Sequence, residues 1–296
     1  MNSFFEILSP SFVLRNSLYS SLLIGAAVPP VGVFLVLGRR SILALTLPHV
    51  STLGVALVVW LGSFAGVQFA SGEGGGSFFA WALLGSLVAM AAALGWQWLL
   101  EKRLNSSAES ESGAIYAVAA AATLALAASR RVTELGLLDR LKGEILAVPN
   151  TLLMLQATGF AVAMLTIFVF ARPFQFLMFD RTLCYSSGLP ADLLQAMMTA
   201  LIAGMIALGG LCAGPLTVFA FLILPPLACL PFVKSVRTLY WLSAATGAVC
   251  AFAGFWASYA WEEWNLPIPA AQILLLGCVW CAGRCVAVRT RCVKQR

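Results

Sequence analysis

The chain has 296 residues, 61% of them apolar and only 10% charged, with a net charge of +6 and a mean hydropathy of +0.92. A water-soluble domain carries about a quarter of its residues as charges, and a disordered chain lacks long apolar runs, so both classes are excluded. The apolar runs here are long, unbroken and rich in Ala, Leu, Gly and Val instead of alternating over about ten residues, which points to helices in a bilayer and not to a barrel.

Cutting the apolar runs at charge and turn clusters predicts spans at 17–37, 42–66, 78–100, 113–129, 150–171, 192–212, 214–232, 238–260 and 268–288. The expected fold is an all-α polytopic bundle of about eight to nine transmembrane helices, one domain over residues 1–296 with 17–288 in the membrane. Only Ala213 separates the sixth span from the seventh, and the seventh carries Pro225-Pro226, so one of that pair is a candidate for a broken or re-entrant helix. Met1 to Leu14 holds a single charge, Glu6, and no basic residue before an apolar run, so it does not read as a signal peptide. It is expected to be retained, with Phe4, Phe5, Ile7 and Leu8 at the outer interface. The Gly-rich stretch 70–77 reads as a flexible outer linker, without the Lys of a phosphate-binding loop. Residues 101–112 read as a polar inner connector.

Nine spans place the N-terminus outside and the C-terminus inside. Thirteen of the eighteen Lys and Arg then fall in inner segments, and Arg15, Arg130, Arg131, Arg140 and Lys142 are outside, as the positive-inside bias requires. The expected location is a plasma membrane, the inner one in a bacterium, and the lipid bilayer is the first partner; no nucleic-acid partner is expected.

An ionisable residue inside a span is expensive and marks function by default. His49, the sole histidine, lies in the second span. Thr46, three residues earlier, shares its helical face, and Thr52 is nearby, which gives a thin polar stripe. Pro48 withholds a backbone N–H just there. Imidazole suits zinc, manganese or iron and can carry protons, and it can equally serve as an interhelical hydrogen bond. One His is far from the four ligands of a resident zinc site, but a transport site must release its ion, and a dimer would supply the group twice. His49 is the metal candidate, with Thr46 and Thr52 beside it in a pathway.

Paired carboxylates, a Ser/His/Asp set and a zinc-protease motif are absent from the spans. Asp180, Asp192, Glu262 and Glu263 sit at span ends or in loops. No enzyme is expected, no permanently bound cofactor either, and any ATP-driven work belongs to another chain. Cys278, Cys281, Cys285 and Cys292 stripe one face of the last span, as a soft-metal ladder or as small apolar residues at a helix interface. Pro48 and the pair Pro225-Pro226 are candidates for a gate or a static kink. The connection 172–190, with Phe179, Asp180 and Arg181 and a turn ending at Gly188 and Pro190, is amphipathic enough to dock into a groove on a soluble partner.

The motifs in order resemble the membrane subunit of ATP-binding-cassette importers for zinc, manganese or iron. Val31-Gly-Val-Phe-Leu-Val-Leu37, then Arg39-Arg40, then His49 with Gly54-Val55-Ala56, is similar to that family's first two helices. Leu141-Lys-Gly-Glu-Ile-Leu-Ala-Val148 is similar to its outer segment. Phe179-Asp180, Cys184 and Gly188 follow its spacing of Phe-Asp, a small residue and Gly. Gly214-Pro-Leu-Thr-Val-Phe-Ala-Phe-Leu-Ile-Leu-Pro225 is similar to its Gly-to-Pro helix.

The resemblance spans roughly residues 15–285. It implies a cobalamin-importer-like permease fold and a divalent metal as cargo. It also implies an ABC ATPase subunit, an extracytoplasmic metal-binding protein and a second permease copy or a paralogous one as partners. Phe179, Asp180, Cys184 and Gly188 would then form the coupling contact with the ATPase. The chain departs from the pattern at Leu45, where the family has Asp, at Pro48, where it has Ser, and at Leu53, where it has Pro. These departures keep open a siderophore or cobalamin cargo, and the residues alone leave room for an ion-coupled secondary transporter.

Overall fold

The computed structural model describes residues 14–38, 40–64, 76–104, 107–128, 148–179, 181–260 and 266–294. Among these the chain is helical and shows no strand. The helices are α1 (Arg15–Leu37), α2 (Ser41–Phe64), α3 (Gly76–Leu104), α4 (Ala108–Ala127), α5 (Asn150–Val169), α6 (Ala171–Phe179), α7 (Arg181–Ser186), α8 (Ala191–Ala213), α9 (Pro215–Cys229), α10 (Val236–Ala260) and α11 (Ile268–Lys294). A 3₁₀ turn, Leu230–Phe232, extends α9. Nine of these elements are long and apolar enough to cross a membrane, and they coincide with the nine predicted spans. The N-terminal interface segment, the linker at 70–75, the segment 141–147 and Glu262 and Glu263 lie outside the described residues.

Three boundaries differ from expectation for one reason. α3 continues through the charged stretch to Leu104, α4 begins at Ala108, and α11 runs to Lys294, so hydropathy loses these helices where they leave the lipid although their backbone bonds continue. Of the connector expected over 101–112, only residues 105–107 lie between the two helices. Ser107 caps α4 by accepting from the Ser110 N–H at 3.4 Å, and Glu109 and Glu111 in the first turn favour that end of the helix dipole.

The sixth and seventh spans are two separate helices, each continuous and long and apolar enough to cross a membrane. The break falls at Gly214, whose φ of 79° and ψ of 163° are open to glycine alone, and Pro215 then starts α9 where its missing N–H costs nothing. α9 continues through Pro225 and Pro226. A second proline pair, Pro29-Pro30, lies buried in α1 and had no place in the sequence reading.

α1 and α2 are the inner helices, with 72% and 67% of their spans buried, whereas α4 and α11 are only 17% buried and face outward. α1 packs on α9 and α10, and α9 also meets α2, α8 and α11. Lipid offers no hydrophobic drive to bring helices together, so close approach of backbones over small residues does it. A Cβ added to Gly32 would stand 2.6 Å from the Leu222 carbonyl carbon, and one on Gly25 would stand 2.7 Å from the Gly247 carbonyl oxygen. The same logic places Gly54 of α2 on α3, where an added Cβ would be 2.8 Å from that of Ala89.

Several polar residues inside the bundle are paired across helices. Ser20 of α1 donates to Gln156 Oε1 of α5 at 2.7 Å. Gln272 of α11 donates to Ser21 Oγ and, at 3.0 Å, to the Ala251 carbonyl of α10. At one end of the bundle Asn16 donates to the Val148 carbonyl and to Asn150 Oδ1. The other end gathers Arg40, Trp98 and Asp192 around one cavity and carries the segments that were expected to be inner, with the excess of Lys and Arg; it is called the basic end below.

Candidate functional site

His49 sits midway along the first half of α2, partly buried. Its Nδ1 lies 3.0 Å from the Leu45 carbonyl oxygen. A carbonyl only accepts, so Nδ1 carries the proton there and Nε2 keeps the lone pair that a metal or a proton would use. The ring stands edge-on to Tyr116 of α4, with centroids 4.8 Å apart and planes at 82°.

Thr46 belongs to the same seam. Its hydroxyl lies 2.9 Å from the Ile42 carbonyl of its own helix and 2.9 Å from the Ser112 carbonyl of α4. Thr46 and His49, three apart on α2, therefore face Ser112 and Tyr116, four apart on α4, as two rungs of one helix contact. Thr52 is buried and turns its hydroxyl back onto its own helix, 2.8 Å from the His49 carbonyl and 3.3 Å from that of Pro48. Of the predicted stripe, Thr46 and His49 are thus brought together, and Thr52 is drawn into the backbone around the proline. Among the described residues no three His, Cys, Asp or Glu side chains gather closely enough to hold an ion.

Tyr116 was missed by the sequence reading. Its signal was present, since Ser112 and Tyr116 repeat at helical spacing, but the pairing of α2 with α4 across some 65 residues carries no local mark.

The second candidate region lies at the basic end. Expected as a single amphipathic turn over 172–190, it is instead two short helices, α6 and α7. α6 is anchored by Phe174, fully buried, whose ring packs edge-on to Phe34 of α1 at 5.6 Å. α7 ends in a reversal in which Leu189 N–H bonds the Cys184 carbonyl at 3.1 Å and Gly188 N–H that of Tyr185 at 3.0 Å, with Gly188 at φ 73°. This is the Schellman ending, which needs a left-handed residue at that point and so calls for glycine. Cys184 is fully buried, while Phe179 is 70% exposed and Tyr185 50% exposed.

The four coupling candidates therefore divide by task. Cys184 and Gly188 shape the turn, Phe179 is presented outward, and Asp180 lies outside the described residues. Tyr185 donates its hydroxyl to Asp192 Oδ2 of α8 at 2.8 Å, a tie the sequence reading did not anticipate although the seven-residue spacing runs across the glycine turn.

Pro48, Pro225 and Pro226 are all buried within continuous helices. Cys278, Cys281 and Cys285 are exposed on the outer face of α11 with free thiols. Within this chain they form neither a metal ladder nor a packed helix interface, and the side chain of Cys292 is outside the described set.

Comparison with known proteins meets this geometry. The chain is 23% identical over 259 residues to the manganese transport system membrane protein MntC of Halalkalibacterium halodurans, covering 88% of this chain and 82% of that protein. It is 21% identical over 299 residues to the manganese import system permease protein ScaB of Streptococcus gordonii, covering 100% of this chain and 99% of that one. Its fold superposes on a chain of PsaBC from Streptococcus pneumoniae, solved in complex with Fab, with a TM-score of 0.77 at 20% identity over 95% of this chain and 94% of that one. Residues 11–280 match the ABC 3 transport family, nearly the whole bundle and both candidate regions, and the chain is a multi-pass membrane protein belonging to that family.

Proposed function

We propose that the chain is the membrane permease subunit of an ATP-driven importer for a divalent transition metal, with manganese, the cargo named for both relatives, as the first choice. The family match over residues 11–280 carries this reading. The basic end faces the cytoplasm, following the excess of Lys and Arg there, and in a bacterium the membrane is the inner one. An ABC ATPase docks on the exposed Phe179 and the α6–α7 turn. The buried Phe174 and Cys184 make that turn a rigid knob, so closure of the ATPase is passed to α1 and α8 as a displacement and is not absorbed locally.

Metal handed over by an extracytoplasmic binding protein passes His49, whose Nε2 supplies one soft-to-borderline ligand. A second permease copy supplies another. Two imidazoles with water make a weak, releasing site, which transport needs and storage does not.

Leu45 favours a second reading, a metal carried inside an organic chelate. Without the carboxylate on the turn before His49, the passage offers a dication no charge to offset its own. Uptake of radioactive manganese by cells that depend on this chain tests the first reading. His49→Ala should cut accumulation about tenfold. Uptake insensitive to that change, and competed by metal-loaded chelator but not by free manganese, would replace the first reading with the second.

A further inference from the structure

At the basic end a cavity of about 1000 Å³ opens between the start of α2, the second half of α3 and the first half of α8. Its polarity is graded with depth. Arg40, Gln97, Asp192 and Gln195 line it near the helix ends, and Leu43, Leu87, Leu94 and Ala203 line it further in. From Asp192 to Ala203 is eleven residues of α8, about 17 Å of helix, and one leaflet of hydrocarbon is about 15 Å thick. Trp98, 59% exposed, stands at the mouth where the interface favours indole.

The cavity is separate from the metal seam. Leu43 and His49 are six residues apart, about one and two-thirds turns of α2, so the cavity lies against α3 and α8 while His49 faces α4. The mouth carries both signs of charge. The Asp192 carboxylate accepts from Tyr185.

We propose that this cavity binds one zwitterionic aminophospholipid from the leaflet at the basic end. Its phosphate meets Arg40, whose planar guanidinium suits a phosphate fork; its ammonium turns toward Asp192; one acyl chain fills the apolar length between α3 and α8. A single-sign anionic lipid would leave Asp192 facing its phosphate, and a choline headgroup has no N–H to give Asp192. Because Tyr185 of α7 bonds the same carboxylate, the headgroup sits beside the turn assigned above to ATPase docking. That consequence rests on the proposed function, but the lipid site itself does not.

The test is native mass spectrometry of the full chain, purified with its ATPase where the two travel together and exchanged into nanodiscs of equal phosphatidylethanolamine, phosphatidylglycerol and phosphatidylcholine. One phosphatidylethanolamine per permease chain should be retained, about tenfold over either other lipid. Arg40→Gln should weaken retention of all three lipids, since each carries the phosphate, and Asp192→Asn should abolish the preference. Gly95→Leu should abolish retention without unfolding the chain, since a Cβ at Gly95 meets nothing within 4 Å. Equal retention of the three lipids, retention unchanged in both Arg40→Gln and Gly95→Leu, a preference unchanged in Asp192→Asn, or self-cross-linking of Gly95→Cys that shows a second copy in the groove would each overturn the proposal. Loss of metal uptake with lipid retention intact would strike the proposed function and leave this site standing.

Discussion

The carbonyl oxygen of Leu45 holds the His49 ring by its Nδ1, at 3.0 Å, so the backbone of the residue that lacks a carboxylate is what orients the only imidazole. The orientation is therefore independent of the Leu45 side chain, and the ligand set can be changed without losing it. Leu45→Asp would place a carboxylate one helical turn from Nε2 and offset part of the ion's charge. Manganese binding to the purified chain, read by calorimetry, should tighten about tenfold, and the gain should vanish when His49→Ala is added. No gain in Leu45→Asp would mean that this face of α2 does not meet the ion.

Thr46 separates packing from passage. Thr46→Val keeps its volume and removes the hydroxyl that bonds Ser112, which should cost about 1 kcal/mol of stability in the membrane. Thermal unfolding in detergent should register the loss while uptake stays within about twofold. A much larger drop in uptake at unchanged stability would put Thr46 in the pathway.

Close helix crossing gives a sharper stability test. Gly32→Ala forces a methyl onto the Leu222 backbone, which cannot yield as a side chain tip would, and should destabilise the bundle by about 1–3 kcal/mol. Gly95→Ala adds the same atom in open space and should be neutral or stabilising by about 0.5–1 kcal/mol. Equal melting temperatures for the two variants would contradict the α1–α9 contact.

The coupling turn can be broken from two sides. Gly188→Trp strains the left-handed turn by about 1–2 kcal/mol and Asp180→Ala removes the charge beside Phe179. The double variant should insert and fold, yet lose most ATP-driven uptake, with ATPase binding weakened in pull-down from membranes. Normal uptake in that variant would remove the turn from the coupling role.

The nine spans were legible because a bilayer leaves a backbone little choice but helix, so a run of about 20 apolar residues determines its own conformation. The sequence placed the break between the sixth and seventh spans at Ala213, one residue before Gly214, where the backbone makes it. What escaped was tertiary or lay outside the lipid. Ser112 and Tyr116 gain meaning only once α4 lies on α2, and Tyr185 only once the glycine turn brings Asp192 within 2.8 Å. The polar ends of α3 and α11 are helical by continuation of the hydrogen-bond ladder, which a hydropathy window does not see. The stripe on α11 shows the reverse error, in that regular spacing placed three cysteines on one face but could not say that the face points away from the bundle.

The central claim is that this bundle is a conduit moved by an engine on another chain. Reconstitution of the purified chain in proteoliposomes, with and without an ATPase co-purified from the same membranes, measures it directly through metal accumulated per added ATP. ATP-dependent accumulation only in the presence of the ATPase is the predicted result. Uphill accumulation by the chain alone, driven by a proton or sodium gradient, would contradict the account.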